Sequence, residues 1–118
     1  MINRFICAGL LPLMLSACVS DPAPHEQLRL TEQALSQATA LGLSTEQSPA
    51  LQLAQDKFAL AQAAMQEEDY KQARVYAEQA ELDARLAEAQ YLSAKSQQQL
   101  GVLNNAINRL RTQLGGMQ

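Results

Sequence analysis

The sequence has no tryptophan, and past its first twenty residues its only aromatic side chains are Phe58, Tyr70, Tyr76 and Tyr91. With so few large rings, whatever core forms must be thin and of modest stability. Histidine occurs once, at His25, and cysteine only at Cys7 and Cys18. A lone imidazole with no second histidine or spare thiol makes neither a zinc site nor a nucleophile–base pair. No glycine-rich phosphate loop occurs, and a net charge of −3 argues against a nucleic-acid partner. Glu67, Glu68 and Asp69 are adjacent but lack the ligand spacing and glycine of a calcium loop, so a solvated turn is expected there. Nothing in this inventory supports catalysis, a metal or a cofactor.

No apolar run is long enough to cross a bilayer as a permanent helix, which takes roughly 20 residues. The longest lies between Phe5 and Leu15, is interrupted by Pro12, and follows a single positive side chain, Arg4. That layout is the one of a secretory signal, with Ser16-Ala17 as the small residues before cleavage. The next residue is Cys18. Leu15-Ser16-Ala17-Cys18 resembles the lipobox of bacterial lipoproteins, which implies a diacylglycerol on the Cys18 sulfur and cleavage between Ala17 and Cys18. The alternative is an ordinary secretory signal with an accidental cysteine. Val19 and Ser20 directly follow, and in Gram-negative lipoproteins a residue other than aspartate there implies sorting to the outer membrane. Two or three acyl chains, at about 0.8 kcal/mol per buried methylene, make such an anchor effectively permanent.

Residues 1–17 are thus read as a signal peptide and 18–24 as a lipidated tether. Losing Arg4 moves the net charge from −3 to −4. Pro22 and Pro24 favour an extended path with a reach of about 25 Å, which keeps the folded part near the membrane. With the Cys18 thiol acylated, no disulfide can form within a monomer, so packing alone must hold the fold.

The remainder is rich in Ala, Gln, Leu and Glu, side chains that lose little freedom in a helix, and has few β-branched residues. The expected fold is all-α: a three-helix up-down-up bundle built on an antiparallel hairpin, over residues 25–96, with a C-terminal helical extension at 97–118. A first helix from about Pro24 to Leu41 carries Leu28, Thr31, Leu35 and Ala38 on one stripe and stops at Gly42. Ser48-Pro49 is an N-cap followed by proline at the first helical position. It opens a second helix to about Gln66, with Leu51, Ala54, Phe58, Ala61 and Met65 on one face. Asp69, with Gln72 three positions on, has the pattern of a capping box for a third helix.

In that third helix Tyr70, Ala73, Ala77, Ala80, Ala84, Ala87, Tyr91 and Ala94 alternate at spacings of three and four, a heptad seam with a small-residue middle. Small side chains let a neighbour approach closely. Helix two supplies larger knobs in antiparallel register, with Met65 near Tyr70, Phe58 near Ala77 and Leu51 near Ala84. A second stripe of Val75, Leu82 and Leu86, with Leu53 and Leu60 from helix two, is expected to receive helix one. Glu81 with Arg85 and Glu67 with Lys71 are expected i,i+4 pairs.

The pattern falters at Gln97-Gln98-Gln99 and Gly101, then resumes in a new phase at Leu100, Leu103, Ile107, Leu110 and Leu114. Residues 95–118 hold no acidic side chain and carry Lys95, Arg109 and Arg111. Leu103, Ile107, Leu110 and Leu114 are therefore candidate partner-binding residues. The amphipathic segment would pair with another copy, dock on a different protein or lie on a membrane; folding back on the bundle is the alternative.

Two stretches carry a family resemblance. These are Ala54-Gln55-Asp56-Lys57-Phe58-Ala59-Leu60-Ala61 and the run from Asp69 to Ala87, with its Asp-Tyr turn and its Ala73-Arg74…Ala77-Glu78…Ala80…Asp83-Ala84 helix. They resemble a bacterial envelope domain of unknown function, an Ala-rich helical module found alone in short lipoproteins or ahead of OmpA-like domains. The resemblance covers roughly residues 24 to 95 and implies no activity. No OmpA-like segment follows in this sequence, so peptidoglycan binding by that route is not expected. Asp69-Tyr70-x-x-Ala73 is also similar to a tetratricopeptide turn, but no second copy appears at the required period. A final lysine of the kind that joins murein lipoprotein to the cell wall is missing, since the sequence ends in Gln118.

The expectation is a non-enzymatic, lipid-anchored helical lipoprotein with a structural or adaptor role, on the periplasmic face of the outer membrane. Its partners would be the membrane and a protein or second copy at the C-terminal helix. A small apolar-ligand or lipid-binding protein is the alternative.

Overall fold

The computed structural model describes residues 21–116, and among them it holds three α-helices and no strand. Helix α1 spans His25–Ala40, α2 spans Pro49–Gln66 and α3 spans Tyr70–Gly115. Each boundary has a local cause. Gly42, with φ of 88°, takes the left-handed conformation that ends the turn after α1. The Ser48 side chain accepts from the Leu51 backbone N–H at 3.2 Å, and Pro49 occupies the first turn of α2. Asp69 Oδ1 accepts from the Gln72 N–H at 3.1 Å and opens α3.

The arrangement is up-down-up, as expected. Arg74 near the start of α3 donates to the carbonyl of Pro22 at 3.3 Å, while Ala38 at the end of α1 packs with Ala87. Helix α1 therefore runs parallel to α3. Helix α2 runs antiparallel, with Leu51 clustered with Ala87 and Ala54 with Ala84. Both shorter helices lie chiefly on α3 and touch each other far less.

The alanine seam explains how one helix accepts two. Ala73, Ala77, Ala80, Ala84 and Ala87 are fully buried, and each contributes a methyl worth only about 0.8 kcal/mol of burial. Their value lies in how closely they admit α1 and α2. Leu51 and Thr31 are the largest fully buried side chains. Leu43, from the connection after α1, closes the end of the bundle against Ala38, Leu51 and Ala87.

Four expectations change here. First, Leu51 meets Ala87 rather than Ala84, and Ala54 takes the place beside Ala84, so the hairpin register lies about one helical turn from the expected one. Second, of the stripe of Val75, Leu82 and Leu86 with Leu53 and Leu60, only Val75 is half-buried, and α1 does not cover the four leucines. It shares the alanine seam instead, using Thr31, Ala34 and Ala38, with Leu28 and Leu35 half-buried beside them. Leu53, Leu60, Leu82 and Leu86 stay exposed. The physical reason is shape, because a seam of methyl groups offers room for two helix backbones where a leucine ridge offers room for none. Third, the seam ends at half-buried Tyr91, since Ala94 is exposed. Fourth, among the described residues the ion pairs are Arg29–Glu26, Lys57–Asp83 and Arg85–Glu81, and Glu67 does not reach Lys71. Glu67 caps α2 and Glu68 takes φ of 58°, so Glu67 lies outside the helix that holds Lys71.

Candidate functional site

Helix α3 continues without a break through Gln97, Gln98, Gln99 and Gly101 to Gly115. A glycine inside a helix costs about 1 kcal/mol relative to alanine. An isolated helix of this composition and length would be marginal in water, because nucleation is costly. Here the nucleus already exists in the packed half, and each further residue only extends it. Every residue from Leu92 to Gly116 is exposed. From Tyr91 to Gly115 the overhang is about 36 Å long at 1.5 Å per residue. It leaves the bundle at the end opposite to Pro22.

On this arm Leu100, Leu103, Ile107, Leu110 and Leu114 form one apolar line, 41% to 68% exposed. The structure thus brings the four candidate partner-binding residues, Leu103, Ile107, Leu110 and Leu114, onto one face and leaves it open. The same line continues into the bundle. Steps of four and three back from Leu100 fall on Ser96, Ser93, Ala89, Leu86 and Leu82, so the apparent change of phase is a change of face. Leu82 lies two residues before Ala84 and Leu86 two after it, each about 160° round the helix from the seam. Leu82 is 67% exposed and Leu86 48%. Helix α3 therefore has a buried face of small residues and, opposite it, an exposed face with large residues at both ends and Ala89, Ser93 and Ser96 between them. The sequence carried part of the signal, because a heptad count from Leu114 reaches Leu86 and Leu82, although Ser96, Ser93 and Ala89 at its middle positions interrupt the apolar pattern.

Lys57 of α2 reaches Asp83 Oδ2 at 2.6 Å beside this face, with both side chains largely covered. Leu53 and Leu60, four residues before and three after Lys57, share that edge of α2 and are about half exposed. On the side facing α1, Glu81 accepts from Arg85 at 2.6 Å and from Gln27 Nε2 at 2.7 Å. The Arg85 hydrogen bond first, then that of Gln27, hold the Glu81 carboxyl below the ordinary glutamate value. Glu26, fully exposed, is lowered by Arg29 in the same way. Deep in the same contact Thr31 Oγ1 lies 2.8 Å from the Ala77 carbonyl and 2.9 Å from that of Gln27, its single proton serving either acceptor.

The remaining candidates do not converge. His25 is exposed at the start of α1, and Glu67, Glu68 and Asp69 are exposed in the turn before α3. Among the described residues no three or more His, Cys, Asp or Glu side chains come together as a metal site. Tyr91 lines a half-open crevice with Leu43, Ser48, Pro49 and Ala94, and the Lys95 ammonium stands 5.7 Å from its ring. Cys18 and the Ala17–Cys18 cleavage position lie outside the described residues. No helix among the described residues is long and apolar enough to cross a membrane.

The class is clear from the fold: an all-helical domain in which a long third helix carries two shorter ones on a small-residue seam. The chain belongs to the DUF4398 family, a domain of unknown function, whose model matches residues 26–103. It is similar to a crystal structure of a DUF4398 family protein from Pseudomonas aeruginosa PAO1, at 59% sequence identity and a TM-score of 0.77. The match covers 82% of this chain and all of that one. No curated protein matches the chain. The family match runs past Tyr91 to Leu103, so it includes the first turns of the overhanging arm.

Proposed function

We propose that this protein is a lipid-anchored lipoprotein of the bacterial envelope, held on the periplasmic face of the outer membrane, with a structural or adaptor role. The observation that carries the reading is Leu15-Ser16-Ala17-Cys18 directly behind an apolar run, with neither Asp nor Glu at the next two positions. Cys18 is the anchor, and Ala17 and Cys18 flank the cleaved bond. A holding role is supported by the polar groups between the helices, which are engaged in the contacts themselves: Thr31 with a backbone carbonyl, Lys57 with Asp83, Glu81 with Arg85 and Gln27. The arm supplies the working surface. From the level of Arg74, beside the tether, to Leu114 is about 60 Å along α3. Residues 95–114 thus hold their apolar face well away from the anchor, toward a protein partner or a second copy.

Replacing Cys18 with Ala is the test. The variant should keep its signal segment, take up no radiolabelled palmitate and leave the outer-membrane fraction. A Cys18→Ala chain that is still processed and still fractionates with the outer membrane would show that something else holds it.

A further inference from the structure

We propose that the exposed face of α3 is the contact of an antiparallel homodimer, in which residues 100–114 of one copy lie along residues 82–96 of the other. The proposal rests on the reading of residues 95–114 as an association surface, and it names the occupant. The two halves of the face complement each other when one helix is reversed. Antiparallel heptad seams pair the two kinds of core position with each other. In the one register that uses the whole face, Leu114 meets the partner's Leu82 and Leu110 meets the partner's Leu86. Between them Leu103 and Leu100 fall opposite the small side chains of the partner's Ser93 and the partner's Ser96. Large residues thus cover large ones at both ends, and small residues receive large ones in the middle. The overlap is 33 residues, about 50 Å and more than four heptads.

Charge selects this orientation. Every acidic residue of α3 precedes residue 89, where Lys71, Arg74 and Arg85 also lie, whereas residues 95–115 carry only the basic Lys95, Arg109 and Arg111. In the antiparallel register Arg111 flanks the seam opposite the partner's Asp83, and by symmetry this pairing occurs twice. Lys57 uses Asp83 Oδ2, which leaves the second carboxylate oxygen for a further donor. An in-register parallel pair would instead set Glu78 against the partner's Asp83 and place Arg111 beside an alanine, the partner's Ala106. Leu53 belongs to the same surface. It lies between Leu51, at the level of Ala87, and Ala54, at the level of Ala84, so the reversed partner helix also covers it. Two exposed apolar groups on one helix face, Leu82 with Leu86 and Leu100 through Leu114, are more than the singly scattered leucines of an ordinary surface. The two N-terminal ends of such a dimer stand about 70 Å apart at opposite ends of a rod, so a pair anchored at both ends lies along the membrane.

Oxidative crosslinking of the full chain in intact cells separates the outcomes. Gln97 flanks the two-fold axis, so Gln97→Cys should give a disulfide dimer at least tenfold above the parent chain, which loses Cys7 with the signal peptide, carries lipid on Cys18 and so sets the background. Leu103→Cys, which meets its own copy only in a parallel pair, should stay at background. Arg111→Glu added to Gln97→Cys should lower the dimer yield several-fold. Crosslinking through Leu103→Cys with none through Gln97→Cys overturns the proposal, as does background yield from both. A Gln97→Cys product at a mass other than twice the chain's also overturns it, and points to a different protein on the same surface. Lipidation is read separately, by palmitate uptake, so loss of the anchor and loss of the dimer are distinguishable.

Discussion

Residues 70–91 and 92–115 belong to one unbroken helix, yet they are held in opposite ways. In the first half the alanines of the seam, Ala73 to Ala87, are fully buried, while Leu82 and Leu86 stand in solvent. In the second half nothing is buried at all. The first half is stabilised by close approach: α1 and α2 reach its backbone because alanine stands in the way of neither. The second half has no tertiary support and is helical by elongation from the first. What the contrast teaches is that helicity and packing are separable properties along one element. A seam of methyls is a strong packing device with little apolar area, and a line of leucines is apolar area still without a neighbour.

The strongest way to break the comparison is to give the seam a large residue. Ala84→Leu, fully buried against Ala34 and Ala54, should cost about 3 kcal/mol or unfold the bundle outright, read as the urea midpoint by circular dichroism. A midpoint unchanged by Ala84→Leu would mean that closeness is not what the seam provides. Next in size is the polar contact that docks α1. Thr31→Val keeps the shape and removes the hydroxyl that meets the Ala77 carbonyl, and should cost about 1 kcal/mol. Acid should act in the same contact and less strongly. Because the folded Glu81 carboxyl is held below its ordinary value, its contribution is present above the ordinary glutamate range and is lost as pH falls through the lowered value. Stability should therefore decline slightly on acidification, and Glu81→Gln should flatten that part of the pH profile. The smallest effect is expected on the arm. Truncation before Leu100 should leave the folding free energy of the monomeric bundle within about 0.5 kcal/mol while removing helical signal and self-association. A large fall in the midpoint of the monomer would mean that the arm is part of the core.

Much of this fold was legible in local pattern. Ser48-Pro49 and Asp69 with Gln72 mark helix starts, because capping involves atoms within one turn of each other. Gly42 marks a stop for the same reason. The seam from Tyr70 to Tyr91 follows from counting threes and fours. The placement of α1 was not legible, because two apolar stripes compete on α3 and counting does not rank them. Steric room does, and it favours the alanines. The candidate site suffered from the same ambiguity. Leu103, Ile107, Leu110 and Leu114 are readable as an exposed line, but spacing alone offers Leu82 and Leu86 equally to a partner helix inside the bundle, which hides their continuity with the arm.

The sequence by itself determined three helices, their caps, the small-residue seam and the apolar line at the C-terminal end, all properties set within a few residues of chain. Only the tertiary structure decided that Leu51 stands against Ala87, that α1 shares the seam, and that one face of α3 remains open from Leu82 to Leu114. Those choices lie between nearly equivalent placements of Ala-rich surfaces that differ by about one turn. Contacts distant in sequence, Thr31 with Ala77, Gln27 with Glu81 and Lys57 with Asp83, tip the balance among them.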